Sequence, residues 1–315
     1  KINLVVLNVN QIRHSSIPLA NYIFKNKTKV VLVFNHELAV ILAIVRILLR
    51  LKIIIISRNI SVLSIKIKQY DSQNFFKKNI IKPLVKYFYR KIDYVINQSE
   101  NMRDDLISVF PQFLKNSCVI YNPISIQITD YANKFDFNKI EKKNYILCVG
   151  RLERVKGFDL AIEGFAGISK RFPNLRLKIV GNGKLNNDLK KKAIEYGVFD
   201  KIDFEGFQND IIPYYLYAKA TILTSLYEGY PNVLIESIAM NTPVVAFNCP
   251  GGTNEIVKNG LNGHLVNNQD ISDLKEKISI TLANNFDYDN LKNSINANQT
   301  NKVFKKYEKL ISSYI

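Results

Sequence analysis

The chain has 315 residues, 47% apolar and 23% charged, ordinary proportions for a globular protein long enough for two α/β domains and a sizeable core. Its three cysteines, Cys118, Cys148 and Cys249, have no paired spacing, which excludes a disulfide framework or a zinc motif and leaves them as small core residues in a reducing compartment. The net charge of +17 is uneven: residues 1–129 hold 19 Lys or Arg against 6 Asp or Glu, a balance of +13, and residues 130–315 hold 25 against 21, a balance of +4. A compositional drift toward Lys, Ile and Asn would act on both halves alike, so the basic first half points to an anionic partner: a lipid surface, a diphosphate-linked acceptor or nucleic acid.

Residues 1–7 read as a strand, with no signal peptide visible ahead of it. Residues 30–34 (Val-Val-Leu-Val-Phe) are the next strand, followed by a helix over 37–51 that is apolar nearly all round. Its apolar stretch 38–51 is shorter than the ~20 residues of a membrane span and carries Arg46 and Arg50. Residues 52–57 (Lys-Ile-Ile-Ile-Ile-Ser) lack alternation, as a strand does in a parallel sheet covered on both faces. Residues 66–91 then carry Lys66, Lys68, Lys77, Lys78, Lys82, Lys86, Arg90 and Lys91 against Asp71, with Phe75, Phe76, Tyr87, Phe88 and Tyr89 interleaved. One reading is an interfacial helix on anionic lipid, each cation adding about 1 kcal/mol. The other is an ordinary helix with aromatics in the core and lysines in water.

Strands at 94–97 and 119–121 complete a βαβ series, which reads as a doubly wound sheet. After Asn122-Pro123, residues 125–144 are polar and without clear periodicity, and 130–144 is expected as an interdomain linker. The second series runs strand 145–150, helix 159–171, strand 175–180, helix 185–196, strand 202–205, helix 211–218, strand 220–223, helix 232–240, strand 243–247, a glycine loop and strand 264–266. A helical pattern at 273–282 and a basic helix near 302–313 follow. The expected domains are 1–129 and 145–300, with a helix over 301–315 packing back toward the first.

Four pieces of the second series suit a diphosphate and sugar hydroxyls. In Gly150-Arg151-Leu152-Glu153-Arg154-Val155-Lys156-Gly157 a strand ends in glycine and two cations follow, at the carboxyl edge where doubly wound sheets take ligands. Arg and Lys neutralise phosphate; a solvated loop lysine is the other reading of Lys156. Val180-Gly181-Asn182-Gly183 runs a strand into glycines that let a ligand approach the backbone, without the third glycine of a dinucleotide fingerprint.

The third piece is Glu228-Gly229-Tyr230-Pro231-Asn232-Val233-Leu234-Ile235-Glu236. A strand leads to an acid, a glycine and a proline where a helix starts, so that amides around Gly229 to Val233 would form an anion site with the helix dipole behind them. Glu228 precedes the helix and Glu236 lies one to two turns inside it; a carboxylate accepts two hydrogen bonds and suits a hydroxyl pair, one on the sugar and one on the ribose. The alternative is an acid-flanked helix with a surface Glu236. Last, Cys249-Pro250-Gly251-Gly252-Thr253-Asn254-Glu255 and the glycines of 259–266 form a backbone cradle.

The order Gly-Arg-Leu…Lys-Gly, Gly-x-Gly, Glu-seven residues-Glu, Gly-Gly-Thr-x-Glu resembles glycosyltransferase family 4, of the GT-B fold, over about residues 144–270 and more loosely over the whole chain. The first half resembles bacterial members that assemble lipid-linked glycans and polysaccharides. The resemblance implies an α/β protein of two Rossmann-like doubly wound domains facing a cleft. It implies a retaining hexosyltransferase moving a hexose or N-acetylhexosamine from a nucleotide sugar, by family habit a UDP-sugar, to a lipid-linked or polysaccharide acceptor. No metal or other cofactor is implied. Its place would be the cytoplasm, peripheral on the inner membrane face through residues 66–91, and nucleic acid is not expected as a partner. Carried over, Arg151 and Lys156 bind the diphosphate and Glu228 the donor sugar, these three being the candidate catalytic residues. Glu236 takes the ribose, with Gly229, Tyr230, Pro231, Asn232, Val233, Gly181 and Gly183 completing the donor site.

Two departures stand out. Members open with a strand, a glycine-rich loop and a helix, and nothing in residues 1–30 matches that unit; the first domain is therefore expected to be incomplete, in a fragment or a variant. Where the family has a histidine in the first domain, this chain has Arg58-Asn59. His36, one strand earlier on the same sheet edge, is the other candidate, and Arg58 the better one for a donor or acceptor phosphate.

With no suitably placed nucleophile, retention implies same-face attack in which the leaving diphosphate helps deprotonate the acceptor, stabilised by Arg151 and Lys156. A double displacement through Glu228 is the rival mechanism. Rival functions are a catalytically impaired nucleotide-sugar-binding fragment and a nucleotide-sugar epimerase of the same fold.

Overall fold

The computed structural model describes residues 5–7, 9 and 14–314. The chain forms two compact units, Lys1–Ile120 with Phe304–Ile315, and Tyr121–Val303. The expected opening strand at 1–7 lies for its first four residues outside the described residues, and Val5, Val6 and Leu7 belong to no strand.

In the first unit, β1 (Val30–Val33), β2 (Ile54–Arg58), β3 (Tyr94–Asn97) and β4 (Ser117–Val119) form a parallel sheet in the order β1-β2-β3-β4. The last strand falls two residues before the 119–121 expected from sequence. Successive residues of a strand face opposite sides, so the full burial of Ile55, Ile56, Val95 and Ile96 means that both faces are covered. Helix His36–Leu48 starts where Asn35 Oδ1 accepts from the Glu37 amide at 2.8 Å. Tyr89 anchors the core, its ring 5.3 Å from Phe110 and 5.9 Å from Phe113, and its hydroxyl donates to Asn59 Oδ1 at 2.7 Å.

Residues 66–91 are not the single helix read from sequence. Helix Leu63–Gln69 ends in a turn at Tyr70–Ser72, and a new helical run covers 75–89 with a π-bulge at Lys77–Ile81 ahead of helix Lys82–Tyr89. Pro83 is the physical reason for the bulge: it lacks the N–H and crowds the carbonyl four residues back, so the turn before it widens. The aromatics divide. Tyr89 is buried, while Phe75, Phe76 and Tyr87 are exposed.

The second unit has six parallel strands in the order β10-β9-β8-β5-β6-β7: β5 (Tyr145–Val149), β6 (Arg176–Val180), β7 (Ile202–Gly206), β8 (Ala220–Leu223), β9 (Val244–Phe247) and β10 (Gly263–Val266). β5 and β8 are neighbours although two strands separate them in sequence, so the winding reverses between them. That switch point opens a crevice at the carboxyl ends of the strands. The polar stretch read as a linker is structured: Ser125 caps helix Ile126–Lys134, and Ile128 and Phe137 are buried in this unit's core, where the Phe137 ring lies 4.7 Å from Tyr288. Its apolar side chains dock on tertiary partners, and so it shows little periodicity of its own.

Cys148 and Cys249 are buried and Cys118 partly so; all three are free thiols. Among the described residues no helix is long and apolar enough to cross a membrane.

Candidate functional site

The site grows from the glycines that end β5 and β6. Gly181 has φ +138°, and a Cβ there would fall 1.9 Å from the Gly150 carbonyl oxygen. A Cβ on Gly183 would fall 2.4 Å from the Leu152 carbonyl oxygen. The two loops can therefore lie against one another, joined by Leu152 N to Asn182 O at 3.0 Å and Leu185 N to Leu152 O at 3.2 Å. The bare backbone of Gly181 and Gly183 thus permits this chain-on-chain packing, and Gly181 also faces the pocket beside it. Beside this junction lies a pocket of about 330 Å³ lined by Gly150, Arg151, Gly181, Phe207, Gln208, Tyr215, Val233 and Glu236, among others.

Glu236 sits in helix Asn232–Ala239 between Ile235 and Ile238, both fully buried. Tyr215 Oη donates to Glu236 Oε2 at 3.0 Å. Burial raises the Glu236 pKa above the usual carboxylate range, partly opposed by the Tyr215 hydrogen bond, and burial with the nearby carboxylate raises that of Tyr215. Arg151, at the same pocket, has a 74% exposed side chain and pairs with Glu153 at 2.9 Å.

Lys156 and Glu228 form a second cluster. Lys156 Nζ lies 2.6 Å from Glu228 Oε1, which also accepts from Ser225 Oγ at 2.6 Å, and the two side chains are only 22% and 11% exposed. Three motifs are stitched together around this pair. Thr224 Oγ1 donates to the Gly157 carbonyl at 2.7 Å and so ties the lysine loop to the end of β8. Glu228 N donates to Pro250 O, and Gly252 N to Gly229 O, both at 2.9 Å. Gly251, at φ +120°, passes so close that a Cβ would fall 1.8 Å from the Glu228 carbonyl oxygen. Gly150 joins the two clusters: it lines the Glu236 pocket, and the Lys156 stem lies 3.9 Å from where its Cβ would be.

Around the helix start the carbonyls and two of the side chains are engaged. The Tyr230 side chain turns into the core, stacked 5.1 Å from Tyr121 with its hydroxyl against Asn298. Asn122 Nδ2 donates to Tyr230 O at 3.0 Å and Asn232 Oδ1 at 2.6 Å, and Pro231 occupies the cap position with its carbonyl accepting from Leu234 N. Of this motif, Val233 and Glu236 line the pocket. Sequence reasoning missed Phe207, Gln208, Tyr215 and Ser225; the signal for the first two was their place directly after β7, on the ligand-binding edge.

His36 and Arg58 belong to the first unit. His36 Nε2 is buried with no hydrogen-bond partner among the described residues, and burial lowers the pKa of the ring. Arg58 is 8% exposed. Its guanidinium lies 5.4 Å from the centre of the Phe34 ring, its Nε donates to Tyr307 Oη, and the Gln98 amide, turned oxygen inward, accepts from it at 2.7 Å.

The profile of the family described as glycosyl transferases group 1 matches residues 130–302. An uncharacterized glycosyltransferase of Haemophilus influenzae is 30% identical over 217 residues, 69% of this chain and 59% of the relative. The N-acetylgalactosamine-N,N'-diacetylbacillosaminyl-diphospho-undecaprenol 4-alpha-N-acetylgalactosaminyltransferase of Campylobacter jejuni is 29% identical over 184 residues, 58% of this chain and 49% of the relative. The chain thus spans between about half and three fifths of the length of these curated relatives. Among solved structures, Anabaena HepE in complex with UDP superposes with a TM-score of 0.74 at 18% identity, covering 96% of this chain and 85% of that one, a likeness of fold.

Proposed function

The chain belongs to the glycosyl transferases of group 1, with the two parallel α/β sheets of the GT-B fold, and on that premise we propose that it is a retaining enzyme of the family 4 type. It moves a hexose or N-acetylhexosamine from a UDP-sugar to a lipid-linked or polysaccharide acceptor. The observation that carries this reading is the arrangement about Gly150: Glu236 and Arg151 at one pocket, the Lys156–Glu228 pair on the other side, all at the switch point of one sheet. The UDP bound to HepE and the diphospho-undecaprenol in the Campylobacter enzyme's name support the donor and acceptor classes.

Glu236 accepts from the ribose hydroxyls. Lys156 and Glu228 hold one another until the donor arrives; a phosphate oxygen then takes Lys156 and sugar hydroxyls take Glu228, so neither charge is left buried and unpaired. Arg151, tied only to an exposed Glu153, swings to the diphosphate at little cost. The acceptor oxygen bonds to the anomeric carbon as the bond to the diphosphate breaks, and the acceptor proton passes to the leaving diphosphate on the same face. Arg151 and Lys156 neutralise the developing charge in place of a metal ion. The first unit takes the acceptor, and its basic segment 66–91 rests on the inner face of the cytoplasmic membrane.

Thermal shift against UDP-, GDP- and ADP-sugars tests the donor half, because a bound donor raises the melting temperature by mass action. A rise with UDP and UDP-sugars is expected, lost in Glu236→Ala; no response to any nucleotide sugar would sink the assignment. Transfer to a prenyl-linked acceptor with an α-linked product tests the rest, and binding without transfer would leave a donor-binding fragment.

A further inference from the structure

The last turn of helix Ile212–Tyr217 leaves its carbonyls short of partners within the helix, and groups from outside meet them. Thr242 Oγ1 donates to Tyr215 O at 2.7 Å, Lys142 Nζ to Leu216 O at 2.8 Å, and Lys143 N to Tyr217 O at 2.8 Å. Lys142 Nζ also donates to Thr242 Oγ1 at 2.6 Å. A cation at the carboxyl end of a helix is ordinary when it stands in water. Lys142 is instead largely buried, and burial pushes its pKa down to about 7. Drawing an ammonium out of water costs more than a helix cap returns, so the contacts it reaches call for another purpose.

What the lysine governs is Thr242. A hydroxyl has one proton; with its oxygen accepting from Lys142, that proton is directed to Tyr215 O. Thr242 is also tied through both backbone groups to Ser237, its N donating to Ser237 O and its O accepting from Ser237 Oγ, each at 3.0 Å. Ser237 follows Glu236 in helix Asn232–Ala239. Thr242 thus joins the main chain of Tyr215 to that of the residue beside Glu236, and sets the separation across which Tyr215 Oη donates to Glu236 Oε2. Resting on the ribose role of Glu236 given in the preceding section, we infer that Lys142 is a positioning residue for the donor: through Thr242 and Tyr215 it fixes the orientation in which the Glu236 carboxylate meets the ribose hydroxyls. A carboxylate held at one oxygen offers the other in a single direction, which favours a ligand with hydroxyls in the matching place.

Isothermal titration of the full chain with UDP and with 2′,3′-dideoxyuridine diphosphate isolates the ribose contact. The unaltered chain should prefer UDP about tenfold. Lys142→Met and Thr242→Val should each reduce that preference to about twofold, with the affinity for the dideoxy nucleotide unchanged. Thr242→Ser keeps the hydroxyl and should keep the preference. A merely structural role would instead weaken both nucleotides together. Should Lys142→Met fail to fold, Thr242→Val set against Thr242→Ser decides the matter. A preference that survives in both Lys142→Met and Thr242→Val, or an equal loss for the two nucleotides, overturns the positioning role and leaves the donor reading standing. An unaltered chain that binds the two nucleotides equally removes the ribose role of Glu236, and that of Lys142 with it.

Discussion

Arg58 and Arg151 hold comparable places in the two units, each at the carboxyl end of a parallel strand or just beyond it, yet their surroundings are opposite. Arg58 is desolvated and bracketed by the Phe34 ring, the Tyr307 hydroxyl and the Gln98 amide. Arg151 stands in water with Glu153 two residues away as its partner. An exposed ion pair contributes about 0–1 kcal/mol and can be exchanged for a phosphate, whereas withdrawing a buried guanidinium from fitted partners costs several kcal/mol. The same residue type at the same sheet edge is thus free to change partners in one unit and held in place by its neighbours in the other. Lys156 and Glu228 fall between these limits, mostly buried but paired with each other through one short contact.

The largest effect should come from that intermediate pair. Glu228→Gln keeps the shape but leaves the mostly buried Lys156 without its charge partner, and transfer should fall on the order of 10²–10³-fold, with a loss of stability of a few kcal/mol in denaturant melts. A melting temperature that drops while turnover holds would make the pair structural. Arg58→Met comes next: the first unit should lose about 2–4 kcal/mol in denaturant melts, with UDP affinity intact. If UDP affinity fell instead, Arg58 would join the donor side and the contrast between the two arginines would disappear. The smallest effect concerns Glu236. Because burial raises its pKa, the carboxylate proposed to receive the ribose is fully present only above that raised value, and on that proposal UDP affinity should decline as pH falls through it. For the fold the sign is reversed: a pKa raised over its unfolded value means that stability declines as pH climbs between the two. Glu236→Gln should weaken UDP binding about tenfold and flatten the pH profile of the affinity in isothermal titrations.

The second sheet was readable in sequence because its strands are short β-branched runs bounded by glycine and polar turns; 220–223 falls on β8 to the residue, and β3 does so in the first unit. The glycine turns at 150 and 181 were readable too, since each follows its strand directly. What escaped depends on distant partners. The Tyr230 side chain is placed by Tyr121 and Asn298, both far from it in sequence. The burial of Arg58 is decided by Tyr307, and no local pattern reports a neighbour so far along the chain. Helix Ile126–Lys134 hid because Asn, Lys and Asp dilute the few apolar residues that dock it.

That distance bears on how the protein is born. Arg58 and Tyr307 are separated by 249 residues, which a ribosome adding ~5–20 residues per second takes roughly 10–50 s to make. Throughout that interval the guanidinium has been synthesised but its phenol has not, and the first unit waits incomplete. The second unit, contiguous from Tyr121 to Val303, holds all its parts sooner. The first unit is therefore closed by residues made after the whole of the second.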